Sequence, residues 1–96
     1  MPAAIEPWKV QEVRRYLAEA FPGARLDDYP RGGATSHLFV VREPGPDPRR
    51  QPRHHLLVTR QFFDRFADSS SLRDALECGD IGRALVRAGD RTVDLY

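Results

Sequence analysis

Thr35-Ser-His-Leu-Phe-Val-Val-Arg42 and His54-His-Leu-Leu-Val-Thr-Arg60 decide how this chain folds, because of what lies between them: Glu43-Pro-Gly-Pro-Asp-Pro-Arg-Arg-Gln-Pro-Arg53. Each flanking segment has the length and the β-branched, apolar composition of a strand. The connector continues neither, since Pro44, Pro46, Pro48 and Pro52 have no N–H to give to a ladder. The stretch predicts a long hairpin tipped by a flexible Pro/Arg-rich loop over residues 43–53.

Upstream, Pro7 suits a first helical position, and Ile5 and Val10 have the spacing of a hydrophobic staple. Val10, Val13, Leu17, Ala20 and Phe21 then recur with helical period, with Glu12, Arg15 and Glu19 on the opposite side, until Pro22-Gly23 stops the helix. Ala24 to Tyr29 reads as a short strand, and Pro30-Arg31-Gly32-Gly33 as the turn into the hairpin. Downstream, Phe62, Phe63 and Phe66 have helical spacing. Ser71 and Asp74 suggest a capping box opening a turn through Cys78, and Asp80 is placed to cap a helix from Ile81 to Ala88. Arg91 to Tyr96 alternates as a last strand. Consecutive strands favour antiparallel neighbours. The expected fold is α+β: a two-layer sandwich with a mainly antiparallel four-stranded sheet, helices packed on one face, in the order α-β-β-β-α-α-β. Residues 1–96 are long enough for one core and too short for two.

The formal net charge is +1, so overall electrostatics selects no class of partner. Locally there is a bias: from Arg42 to Arg65 six arginines face three acids. Lys9 is the only lysine, and arginine richness also accompanies the abundant Ala, Gly and Pro of a GC-rich genome. With Cys78 alone there is no internal disulfide. The N-terminus has no secretory pattern, and no apolar run is long enough for a membrane span. The chain is expected to be cytoplasmic, with no membrane attachment.

Two side-chain sets follow from alternation in the hairpin. If Arg42 faces His54, Leu38, Val40, Leu56 and Val58 form the helix-covered core. His37, Phe39, Val41, His55 and Leu57 then occupy the other face, which is too apolar for a purely solvated surface. These five are the candidate binding face, with Arg49, Arg50 and Arg53 of the loop selecting an acidic partner.

Candidate chemistry is sparse. His54 and His55 point to opposite faces of a strand, and His37 lies some distance along the hairpin, so no metal site is expected. Cys78 reads as a small buried hydrophobe at a helix end, away from any activating cation. Asp27 and Asp28 alternate faces and form no proton-sharing dyad. Gly32-Gly33 leads into a strand rather than a helix N-terminus, unlike a phosphate loop. No catalytic residue and no cofactor are assigned. The sequence points to a protein-binding or self-associating module, whose partner is an unidentified protein or a second copy. The alternative is single-stranded nucleic acid, RNA in particular, held by the 37–60 sheet face and the arginine loop.

Overall fold

A computed structural model describes residues 5–33, 35–45 and 51–96. Helix α1 spans Pro7–Ala20, and strands β1 (Arg25–Arg31), β2 (Ser36–Arg42) and β3 (Arg53–Thr59) follow. Then come α2 (Arg60–Phe63), α3 (Ser69–Cys78), α4 (Ile81–Ala88) and β4 (Thr92–Leu95). The sheet order is β1-β2-β3-β4. Its first two pairings are antiparallel and the last is parallel, because the chain crosses over through α2, α3 and α4 before β4 returns beside β3. The α+β two-layer architecture is the one that the sequence predicts, and α2 falls where Phe62 and Phe63 open the helical spacing.

One face of the sheet supplies Phe39, Val41, Leu56 and Val58 to the core. Against them pack Val13, Leu17 and Phe21 from α1 and its end, Phe63 from α2, Leu72 and Leu76 from α3, and Leu85 from α4. All helices thus form a single layer. Burying these side chains is the main force holding the domain together, at about 25 cal/mol per Å² of apolar surface.

Helix α1 buries a different stripe from the one expected. Tyr16 and Glu12 face inward together with Val13 and Leu17, while Ala20 is exposed. Tyr16 earns its place with its hydroxyl, which accepts the Gly82 N–H at 2.9 Å and so ties α1 to α4. Glu12 Oε2 lies 3.4 Å from Arg15 Nη1.

Caps set the element boundaries. At the end of β3 the Thr59 hydroxyl accepts the Phe62 N–H at 3.2 Å and donates to the Leu95 carbonyl at 2.9 Å. One side chain thus starts α2 and fastens β4. Helix α3 begins earlier than expected, at Ser69, because Asp68 rather than Ser71 is its cap: Asp68 Oδ1 accepts the Ser71 N–H at 2.7 Å. Asp80 precedes α4 as expected but makes no side-chain cap bond, since its backbone is left-handed at φ 49°. Gly32 and Gly33, both at positive φ, make the β1–β2 turn.

The hairpin register differs from the expected one by a single residue. Arg42 lies opposite Arg53, Val41 opposite His54 and Phe39 opposite Leu56. The Glu43 N–H donates to the Pro52 carbonyl at 2.9 Å, so pairing runs to the base of the connector. The slip carries every β2 side chain to the opposite face. Its physical cause is the volume of Phe39, which excludes more water than Leu38 or Val40 can.

Candidate functional site

The face away from the helices is built from strand alternation. It carries Arg25, Asp27, Tyr29 and Arg31 from β1, and Arg42, Val40, Leu38 and Ser36 from β2. From β3 it carries Arg53, His55, Leu57 and Thr59, and from β4 Thr92 and Asp94. No described helix or strand packs over it, and Leu38, Val40 and Leu57 are absent from the core cluster. Running across the strands, the register gives successive rows: Arg25–Arg42–Arg53, Asp27–Val40–His55–Thr92, Tyr29–Leu38–Leu57–Asp94, and Arg31–Ser36–Thr59. The middle of this face is apolar and one end is cationic.

The structure divides the expected binding face. His55 and Leu57 lie on the outer face, both partly exposed. Phe39 (1% exposed) and Val41 (0%) belong to the core instead and are unavailable to a partner. His37 is on the same helix-covered face, its ring 5.1 Å from that of Phe39. The corrected apolar surface is Tyr29, Leu38 and Leu57, with Val40 on the same face but only 7% exposed. Tyr29 is 48% exposed, and Val40 is tucked between its cross-strand neighbours. Arg53 is exposed and belongs to the cationic row, whereas Arg49 and Arg50 lie outside the described residues. The sequence reading missed Arg25, Arg42, Tyr29 and Leu38. The available signal was the symmetric placement of Arg42 and Arg53 at the two ends of the connector.

The histidines have separate surroundings. His54 is 4% exposed and stacks on Phe21 with centroids 5.1 Å apart. Its Nδ1 faces the carbonyl oxygens of Leu85 (3.1 Å) and Gly89 (3.3 Å) at the end of α4, and its Nε2 faces Glu43 Oε2 at 2.9 Å. That is an imidazole used as a structural brace. His55 Nδ1 is buried without a hydrogen-bond partner among the described residues. No group of three or more His, Cys, Asp or Glu side chains converges in the described residues. Cys78 is exposed, contrary to the expected burial, because it closes α3 on the solvent side.

A second polar cluster lies where α1 crosses the sheet. His37 Nε2–H donates to Asp28 Oδ1 at 2.7 Å, and Arg14 pairs with the other carboxylate oxygen. Partial burial opposes the Asp28 charge, but the hydrogen bonds from His37 and Arg14 outweigh it and hold the carboxyl below the usual carboxylate range. These contacts tie α1 to β1 and β2 as a latch. In the unfolded chain Asp28 protonates at the ordinary carboxylate pH. Its contribution to stability is therefore complete above that value and fades as pH falls through the lower folded one. Asp28→Asn should flatten the fall of the melting temperature as pH drops through and below the ordinary carboxylate range. An unchanged acid limb would show that other carboxylates control it.

Among the described residues, no helix is long and apolar enough to cross a membrane. No protein-family model, curated protein or solved structure matches this chain.

Proposed function

We propose that this domain is a protein-contact module that works through its outer sheet face and has no chemistry of its own. The observation that carries this reading is the apolar centre of that face: Tyr29, Leu38 and Leu57 side by side on three strands, with no described element over them. A contiguous apolar patch on a folded surface is usually a place where another surface docks. Single-stranded nucleic acid has weaker support. Base stacking favours several aromatic rings on the central strands, and here those strands offer one imidazole, His55, among Leu38, Val40 and Leu57. The single cysteine is in keeping with work in the reducing cytoplasm.

Photo-crosslinking tests the assignment directly. A photoreactive residue at Leu57, in cells making the full chain, should yield one discrete adduct, whose mass distinguishes a second copy from a different protein. The same residue at Val86, an exposed apolar position on α4, serves as the control and should yield none. Tyr29→Asp should abolish the Leu57 adduct while costing about 1 kcal/mol or less of stability. Adducts from position 86 with none from 57 would move the contact surface to the helix layer.

A further inference from the structure

Arg25, Arg42 and Arg53 stand directly opposite one another on three adjacent strands and on one face. Neighbouring strands are about 4.8 Å apart, so three cationic stems are aligned across about 10 Å. Like charges placed directly across a sheet oppose its pairing. Among the described residues one carboxylate pairs with them: Asp27 Oδ2 is 3.6 Å from Arg25 Nε and 3.9 Å from Arg42 Nε. Arg53 has no ion pair among the described residues, and Arg42 Nε is buried without a hydrogen-bond partner there. Glu43, the next acid along the chain, is turned away to His54. Arg25 and Arg42 border a cleft of about 280 Å³ that is also lined by Gly23, Glu43, Pro44 and Gln51, while Arg53 lies outside it.

We propose that the Arg25–Arg42–Arg53 row is a carboxylate clamp that selects an acidic segment of the protein partner. This rests on the assignment of the outer face as a protein contact and gives that partner its chemistry. Guanidinium groups hold carboxylates through paired N–H donors, a geometry that three aligned arginines offer repeatedly. A second copy of this chain is a poor occupant. The outer face carries Arg25, Arg31, Arg42 and Arg53 against Asp27 and Asp94, so two such faces repel. The apolar row at Leu38 and Leu57 is four residues along the strands from the arginines, or about 13 Å. The matching partner therefore presents its acids about 13 Å from an aliphatic anchor, a separation of about nine residues in a helix or four in a strand.

Titration of the full ¹⁵N-labelled chain tests this with three probes. They are a peptide with glutamates at one end and leucines at the other, its glutamine counterpart, and single-stranded oligothymidylate. The glutamate peptide should shift the amides of Arg25, Arg42, Arg53 and Leu57, more weakly as salt is raised. The glutamine peptide should bind about tenfold more weakly. In an Arg25→Ser, Arg53→Ser variant with an otherwise unchanged spectrum, the two peptides should bind alike. Equal binding of both peptides to the wild-type chain through Leu38 and Leu57 would overturn the clamp and leave the protein-contact face standing. Tighter binding of oligothymidylate at the arginine row would replace carboxylate by phosphate as its ligand. Shifts confined to the helix layer would overturn both the clamp and the face, and no shift from any probe at millimolar concentration would overturn the clamp.

Discussion

Phe39→Ala is expected to cost about 3–5 kcal/mol of stability, the loss typical of a large aromatic side chain removed from a closed core. Phe39 is 1% exposed, lies opposite Leu56 in the sheet, and belongs to the cluster that joins the sheet to α1, α2, α3 and α4. No single element can close over the space that it leaves, because each is held by other contacts. A small domain has only about 5–15 kcal/mol of net stability, so this variant should be largely unfolded or close to it at physiological temperature. Urea denaturation followed by circular dichroism measures the effect. A loss below about 1 kcal/mol would put Phe39 on the surface and restore the other hairpin register. Leu57→Ala, on the outer face, is the matched comparison and should change stability far less.

His54→Ala should be the second most damaging substitution, at about 2–4 kcal/mol. Three losses combine. The Gly89 carbonyl loses its imidazole partner at the end of α4, and the Leu85 carbonyl keeps only the Gly89 N–H at 3.2 Å. Glu43 loses its 2.9 Å partner, and Phe21 loses the ring stacked on it. His54→Phe separates packing from polar bonding, since it refills the volume and the stack but satisfies neither the carbonyls nor Glu43. Recovery of most of the loss in the Phe variant would show that shape, rather than hydrogen bonding, is what His54 provides. The expected result is partial recovery at most. Both substitutions change side chains on the helix-covered face of β3, so a folded His54→Phe protein should still bind whatever the outer face binds.

Much of the fold was legible because the signals were local. Pro7, Pro22-Gly23 and Gly32-Gly33 mark boundaries through backbone restrictions that tertiary contacts leave intact, and the alternation of β3 placed Leu56 and Val58 in the core. The face of β2 was harder. Leu38 and Val40 form as clean an aliphatic pair as Phe39 and Val41, so choosing between them depends on pairing between segments separated by the connector. The helix layer settles that pairing by taking Phe39. The arginine row was only partly legible for a related reason: Arg42 and Arg53 flank the connector, but Arg25 joins them only once two registers are fixed. The Cys78 expectation failed because α3 is amphipathic around Leu72 and Leu76, and the helix rotates its last residue outward.

Cys78 now has a practical meaning. It is the only thiol in the chain, it is exposed, and it stands at the end of α3 in the layer behind the sheet. A maleimide dye or spin label attached there reports on the domain from the rear and leaves Tyr29, Leu38, Leu57 and the arginines unencumbered, with no engineered cysteine needed. The same thiol can join two copies through a disulfide formed in air. Such a dimer would be linked helix layer to helix layer, with both outer faces still open and its binding doubled in valency. Measurements of self-association therefore need a reductant, so that a covalent pair of this kind is not counted as a face-to-face complex.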